Sequence, residues 1–145
     1  LDKIVVGKQA TDLCTPPFTQ RIAARYIEKG YLDPKLDQIR AMYKSKQKVM
    51  LDALQEFMPE EFTWIKPEGG LFLMAYGPEG IDTNELLLPC IKEQNVAYVA
   101  GTSFFCDGKG HHTMRLNFSY ESEENNREGC KRLGTFYKNV LAKKH

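Results

Sequence analysis

The apolar residues before Pro59 recur at helical spacing, and their clearest run begins at Asp33-Pro34. The apolar positions of this run, which predict one long helix, are Leu36, Ile39, Tyr43, Met50, Leu54 and Phe57. Residues 44–48, in its middle, are polar almost all round, as in a helix that connects two packing units. We therefore predict a helical segment over 1–32, a long connecting helix over 33–59 and a small domain over 60–145.

Beyond Pro59 the pattern becomes extended. Short apolar runs that predict strands lie at 62–65, 71–76, 96–100 and 113–118. Helices are expected to begin at Asp82 and Ser122, whose side chains are good N-caps. The resulting order is β-β-α-β-β-α. We therefore predict an α+β fold in which helices cover one face of a small mixed sheet.

Composition excludes several kinds of partner. The 145 residues carry 20 Lys and Arg against 19 Asp and Glu, a net charge of +1, which disfavours nucleic acid. No apolar run approaches the ~18 residues that span a bilayer, so we predict no membrane partner. The four cysteines, which lack disulfide or zinc-site spacing, are Cys14, Cys90, Cys106 and Cys130. We expect reduced, mostly buried thiols, which are typical of a cytoplasmic protein.

Arg115 has the clearest candidate chemistry. Its neighbours on the predicted strand, Met114 and Leu116, are apolar, so the arginine must point to the face opposite the core. There its planar guanidinium could bind a carboxylate or a phosphate. An arginine on a solvated sheet face is an equally good interpretation. Asn117 shares this face and could donate to the same anion, or it could be an ordinary surface amide.

Other segments give weaker signals. Gly69-Gly70 favours a tight turn, although glycines also permit the close approach of a ligand. Gly101-Thr102-Ser103 lacks the spacing of a phosphate-binding loop. His111-His112 has no third ligand nearby, so we predict no metal site. The residues taken singly indicate an anion clamp without a nucleophile, base and orienting group.

Five segments carry a resemblance when they are taken in order: KQATDLCTP at 8–16, PEGGLF at 67–72, VAYVAG at 96–101, MRLNFS at 114–119 and EGCKRL at 128–133. Together they resemble the C-terminal part of class I/II aminotransferases, which are pyridoxal-phosphate enzymes of fold type I. The resemblance covers essentially the whole chain. It is nearest to the 2-aminoadipate, kynurenine and aromatic aminotransferase group.

The resemblance implies a reaction and a set of roles. The whole protein would transfer an amino group from an amino acid to a 2-oxo acid, with pyridoxal 5'-phosphate as cofactor, and would be a homodimer. Arg115 would bind the substrate α-carboxylate, and Phe72 would form part of the pocket wall. We add Asn117 as a third candidate substrate-binding residue because it shares the strand face of Arg115. Residues 1–32 would be the tail of the large cofactor domain, and 60–145 would be the small C-terminal domain.

The chain departs from the family pattern at three points. Ala100 stands where the family usually has proline, and Pro89 is unusual within its helix. The lysine that binds the cofactor in the family has no counterpart here. We expect that lysine to precede Leu1, which would make the chain a truncated piece of a longer protein. We therefore predict no catalytic and no cofactor-binding residue in the chain, which alone should neither bind pyridoxal phosphate nor turn over.

If the first helices pack on such an upstream domain in the whole protein, the chain alone leaves their apolar face uncovered. This face is formed by Ile4, Val5, Phe18 and Ile22. We expect the chain to self-associate or to fold its first helices onto its own sheet.

Two other functions stay open. A similar region follows a DNA-binding helix-turn-helix in some transcriptional regulators, where it senses a ligand, and an upstream winged helix would favour that alternative. A free-standing amino-acid-binding module is the weaker alternative.

Overall fold

The computed structural model describes residues 1–143, and these form two compact units. The first unit is Leu1–Arg40, and the second begins at Ala41. The division falls inside one helix, α3 (Leu32–Phe57), which matches the long helix expected over 33–59. The predicted assignment of segments to a large and a small domain stays a prediction. The last two residues of the predicted domain 60–145 lie outside the described residues.

The first unit is helical and buries little. It contains α1 (Asp2–Thr11), α2 (Pro17–Glu28) and the start of α3. Asp12 ties the turn between α1 and α2, because its carboxylate accepts from Lys8 Nζ at 2.6 Å and from Thr15 Oγ1 at 2.8 Å. No residue of α1 or α2 is buried. The apolar face expected to be uncovered is therefore exposed in the described structure.

The second unit follows the predicted order of elements. After the end of α3 these are β1 (Thr63–Trp64), β2 (Phe72–Tyr76), α4 (Thr83–Gln94), β3 (Val99–Ala100), a 3₁₀ turn (Gly101–Phe104), β4 (Thr113–Asn117) and α5 (Glu123–Ala142). Two side chains cap the helices as expected. Asp82 Oδ1 accepts from the backbone N–H of Asn84 at 2.8 Å, and Ser122 Oγ accepts from that of Asn125 at 3.1 Å.

The sheet has the strand order β1-β2-β4-β3, and every pairing is antiparallel. A mixed sheet was expected, and this detail is corrected. The reason lies in the position of β4, which runs between β2 and β3 against the direction of both. The chain therefore reverses at each neighbouring pair, and no parallel crossover is formed within the described sheet.

The two faces of the sheet differ sharply. One face packs on helices, and its buried side chains include Leu73, Ala75, Met114 and Leu116. The helical side of this core comes from the end of α3, from α4 and from α5, with Leu54, Cys90, Leu133 and Tyr137 among its members. The other face carries Phe72, Met74, Val99 and Arg115, and all four keep some exposure. Strand alternation thus separates an apolar core from a face that is open to a ligand.

The polar middle of α3 makes tertiary contacts within the second unit. Lys46 Nζ donates to the carbonyl oxygen of Ser119 at 2.8 Å, and Gln47 Nε2 donates to that of Pro67 at 2.8 Å. Ser45 also donates to Glu123, at the start of α5. This stretch is therefore partly an anchor, because its side chains donate hydrogen bonds to backbone carbonyl oxygens in the loops that follow β1 and β4.

The four thiols divide equally between core and surface. Cys90 and Cys130 are buried, whereas Cys14 and Cys106 are exposed, and all four are free. The expectation of mostly buried thiols is therefore correct for two of them; the exposed pair lie in loops, outside the packed helices. None of the helices in the described part of the chain combines the length and the apolar character that crossing a membrane requires.

Candidate anion-binding site

Arg115 lies at the centre of the open face of the sheet. It occupies the middle of β4, where it pairs with Met74 of β2 on one side and with Val99 of β3 on the other. Its chain neighbours Met114 and Leu116 are buried on the core face. The direction predicted from strand alternation is therefore the one observed. The side chain leaves the core and stands on a face that no helix of the second unit covers.

Two aromatic rings lie against the Arg115 guanidinium. Its Cζ atom is 4.1 Å from the ring centroid of Phe72 and 4.7 Å from that of Phe104. Both distances are within the range of a cation–π contact. The Nε atom is buried and has no hydrogen-bond partner in the described structure. These contacts distinguish Arg115 from the freely solvated arginine that was the alternative interpretation.

The cation at Arg115 has no counter-charge among the described residues. Four other arginines pair with a carboxylate, namely Arg25, Arg40, Arg127 and Arg132, and Arg21 is exposed. Arg115 alone among the described arginines is half-buried without an ion pair. A partly desolvated cation is destabilised unless an anion accompanies it. The Arg115 guanidinium is therefore free to pair with an anion from outside the described residues.

The other two predicted site residues lie at one end of the same face. Phe72 pairs directly with Asn117 across β2 and β4. Asn117 Oδ1 accepts from the backbone N–H and the hydroxyl of Ser119, both at 2.7 Å, and so closes the turn after β4. The amide nitrogen of Asn117 makes no hydrogen bond to the described residues, and it is the atom of this side chain that is left to donate. Its role towards a ligand stays a prediction.

Phe104 was missed by the sequence analysis. Residues 101–103 were considered only as a possible phosphate loop, and the aromatic pair Phe104-Phe105 that follows them was not weighed. The available signal was the short distance in sequence from β3, which pairs with β4 directly beside Arg115. Residues just after β3 must therefore emerge close to the guanidinium.

The remaining candidates have structural roles. His111 Nδ1 lies 2.8 Å from Asp82 Oδ2, at the N-cap of α4, and the His112 ring lies 6.4 Å from that of Tyr76. The described residues contain no group of three or more potential metal ligands. A cavity of about 490 Å³ lies near Leu116, Asn126 and Cys130, and Arg115 does not line it. Of the predicted site residues, Asn117 lines this cavity, whereas the Arg115 guanidinium lies on the partly exposed face of the sheet.

Comparison with known proteins finds aminotransferases over nearly the whole chain. The chain is 48% identical to an aromatic-amino-acid aminotransferase from Thermococcus litoralis. The alignment extends over 141 residues and covers 97% of this chain and 34% of that protein. It superposes on the crystal structure of a kynurenine aminotransferase from Pyrococcus horikoshii with a TM-score of 0.90 and 46% identity, over 97% of this chain and 34% of that one. It also matches an α-aminoadipate aminotransferase from Thermus thermophilus, with a TM-score of 0.87, 34% identity and coverage of 97% and 36%.

Over nearly its whole length, this chain is homologous to aminotransferases of fold type I. It spans about a third of the length of the relatives that it matches. No protein-family model matches the chain. Similarity to helix-turn-helix transcriptional regulators is weaker, with 26% identity to one from Escherichia coli over 92% of this chain. The comparisons therefore support the aminotransferase interpretation and do not favour the regulator.

The described lysines do not fit the cofactor-binding role of an aminotransferase. A lysine that forms a Schiff base must be available as a free amine in an enclosed site. Lys46, which is half-buried, donates to the carbonyl oxygens of Ser119 and Tyr120. The other described lysines are exposed, and Lys8, Lys48 and Lys109 form ion pairs. None of the described lysines therefore combines a free amine with an enclosed site.

Proposed function

We propose that the chain is the C-terminal, substrate-binding part of a pyridoxal-phosphate aminotransferase that transfers an amino group from an amino acid to a 2-oxo acid. The single observation that supports this is the half-buried, unpaired guanidinium of Arg115 on the open sheet face. In this proposal Arg115 binds the α-carboxylate that both substrates share. Phe72 forms part of the pocket wall, and Asn117 lies beside the bound carboxylate.

The surroundings of Arg115 suit a carboxylate. A guanidinium offers parallel N–H donors that match the two oxygens of a carboxylate, and such charge-assisted pairs are about twice as strong as neutral hydrogen bonds. Because the Phe72 and Phe104 rings displace water, the local dielectric falls and the attraction between the two charges increases. Fixing the carboxylate at Arg115 orients the α-carbon of either substrate in the same way.

The proposal extends to the cofactor, the cell compartment and the assembly of the whole protein. The Pyrococcus horikoshii relative was crystallised with pyridoxamine phosphate, and the one from Thermus thermophilus with a phosphopyridoxyl derivative of leucine. On this basis the whole protein uses pyridoxal 5'-phosphate. Its action in the cytoplasm and its assembly as a homodimer are proposed from the sequence alone. In this proposal, the part played by this chain is the recognition of the amino acid and of the 2-oxo acid.

The test is the removal of the guanidinium in the protein expressed from its complete reading frame. Truncating one partner of a buried charge pair typically costs 2–5 kcal/mol, so Arg115→Gln is expected to lower kcat/KM for transamination by roughly 30- to 4,000-fold. Arg115→Lys, which keeps the charge and loses the planar fork, should recover only part of this loss. Activity is measured with an amino acid donor and a 2-oxo acid acceptor.

Arg127→Gln is the matched control. Arg127 also lies over an aromatic ring, Phe57, at 5.0 Å, but it is paired with Glu56 at the surface. Its removal is expected to leave kcat/KM close to that of the wild type. Full activity of Arg115→Gln, or an equal loss in Arg127→Gln, would contradict the proposal.

A further inference from the structure

The Phe104 ring reaches Arg115 from outside the two central strands. Phe72 belongs to β2, which pairs with β4, whereas Phe104 ends the 3₁₀ turn that follows β3. The Phe104 side chain is 44% exposed, although it lies within 4.7 Å of the guanidinium carbon. An exposed ring would normally be free to rotate away from a cation. The question is therefore what keeps the turn, and with it the ring, in place.

The start of the turn is fixed to β4 by a close backbone approach. A Cβ atom at Gly101 would lie 1.6 Å from Thr113 Oγ1 and 2.7 Å from the Thr113 carbonyl oxygen. No side chain fits at that position, so the backbone of Gly101 packs directly on the strand two residues before Arg115. Thr113 is itself held, because its hydroxyl donates to the carbonyl oxygen of Gly110 at 2.8 Å.

The next residue of the turn is tied to α4. Thr102 Oγ1 donates to Asn84 Oδ1 at 2.8 Å, and Asn84 Nδ2 donates to Asp82 Oδ1 at 3.0 Å. Asp82 is the N-cap of α4 and also lies 2.8 Å from His111.

Phe105, just after the turn, packs on Gly110, where a Cβ would lie 2.3 Å from the Phe105 ring. The turn is thus held at Gly101, Thr102 and Phe105, on both sides of Phe104.

We propose that Phe104 is a positioning residue for Arg115, held over the guanidinium by this fixed turn. The inference rests on the proposed function, because it concerns the same carboxylate site. A fixed ring restricts the rotamers of a long side chain and covers one surface of the cation, so less freedom is lost when a carboxylate binds. It also keeps water from the ion pair, which strengthens the attraction. Phe104 does not touch the carboxylate in this account; it acts through Arg115.

The first experiment uses an unreactive carboxylate, 3-phenylpropionate, and its neutral analogue, 3-phenylpropanamide, with the protein from its complete reading frame. Immobilising one rotamer-rich side chain on binding corresponds to about a 2- to 13-fold change in affinity. We expect Phe104→Leu to weaken the binding of 3-phenylpropionate by that factor and to leave the binding of 3-phenylpropanamide unchanged. Phe104→Tyr, which keeps the ring, should restore the carboxylate affinity. In turnover, Phe104→Leu should raise KM more than it lowers kcat.

Two matched variants separate ring contact from general damage to the turn. Phe105→Leu changes the adjacent ring, which packs on Gly110, and should leave the affinity for 3-phenylpropionate unchanged. Thr102→Val removes the hydrogen bond to Asn84 while it keeps the Phe104 ring, and should reproduce part of the Phe104→Leu effect. Equal losses in Phe104→Leu and Phe105→Leu, or loss of amide binding as well, would overturn the proposal.

A second measurement does not depend on substrate. Hydrogen exchange at Arg115 Nε, followed by NMR, is expected to be slow in the wild type because this atom is buried, and faster in Phe104→Leu. If Arg115→Gln does not reduce 3-phenylpropionate binding, the carboxylate site itself is wrong. If Arg115→Gln does so while Phe104→Leu changes neither affinity nor exchange, the proposed function stands and the role of Phe104 is refuted.

Discussion

At the scale of single residues, the energetics of Arg115 depend on two partners that its side chain lacks, an acceptor for Nε and a carboxylate for its charge. A buried donor without an acceptor costs about 1–3 kcal/mol, and Nε is such a donor. The two aromatic rings offset part of this cost, because each cation–π contact contributes about 0.5–2 kcal/mol. The charge itself stays without a carboxylate in the described residues. A bound anion would therefore stabilise a group that the fold leaves incompletely satisfied.

Asp82 is the residue whose ionisation most directly links pH to stability. The hydrogen bond from the Asn84 side chain, helped by those from His111 and two backbone N–H groups, lowers the pKa of Asp82 from 3.8 to about 2, although desolvation opposes the shift. Because the folded pKa lies below the unfolded one, the stabilisation is fully present above about pH 4. It is lost as the pH falls through about 2.

We expect Asp82→Ala to lower the free energy of unfolding by about 1 kcal/mol at neutral pH, since the α4 cap is lost. Asp82→Asn keeps an acceptor and should cost less, and its deficit against the wild type should shrink as the pH approaches 2. Urea unfolding at several pH values provides the measurement. Asp52→Asn, which removes an exposed pair with Lys48, is the control and should cost less than ~0.5 kcal/mol. A deficit that is independent of pH would refute the assignment.

At the scale of elements, local pattern was sufficient for the helices and insufficient for the sheet. The spacing of apolar residues and the capping side chains of Asp82 and Ser122 are local signals, and the helices begin where they indicate. Strand pairing is not local. The run at 96–100 forms only the short strand Val99–Ala100, and the antiparallel direction depends on β4 lying between β2 and β3. The anchoring of residues 45–47 of α3 likewise depends on loops far away in sequence.

The contact between α3 and α5 provides a paired test on one helix. A Cβ at Gly134 would lie 2.3 Å from the Phe57 carbonyl oxygen and 2.7 Å from its carbon, whereas a Cβ at Gly129 would meet nothing within 4 Å. Backbone atoms cannot move aside as a flexible side chain can. Gly134→Ala should therefore destabilise the protein by about 1–3 kcal/mol. Gly129→Ala should stabilise it by about 0.5–1 kcal/mol through helix propensity.

The midpoint of urea unfolding, at constant slope, measures both variants. Their opposite signs are the decisive feature, because both substitutions add the same methyl group to α5. A Gly134→Ala protein as stable as the Gly129→Ala protein would show that the two helices are not in contact at Phe57.

At the scale of the whole molecule, the site is a surface rather than a pocket. Strand alternation was enough to predict that Arg115 faces away from the core, and the resemblance led to the prediction, still untested, that Phe72 lies near the substrate. Phe104 could not be found in this way, because its position depends on β3 pairing with β4 and on the packing of Gly101 against Thr113. A chain that spans about a third of its relatives can show one wall of a binding site.

The exposed apolar side chains of the first unit lead to a prediction about assembly. Phe18 is 75% and Ile22 is 54% exposed, and α1 and α2 bury no residue. Contiguous exposed apolar surface is typical of an interaction site. We expect the isolated 145-residue chain to self-associate, with a mass by light scattering above the 16.6 kDa of one copy that increases with protein concentration. Burial of this face between copies would remove it from water.

The double variant Phe18→Ser/Ile22→Ser should shift the isolated chain towards the monomer, because the hydrophobic driving force is proportional to the apolar area removed from water. Leu88→Ser is the matched control, since Leu88 is 64% exposed on α4 and lies outside the first unit. It should leave the association unchanged. A wild-type chain that stays at 16.6 kDa at every concentration would contradict self-association. In that case, protection of Phe18 and Ile22 from surface labelling would indicate that α1 and α2 fold back onto the sheet of the same copy.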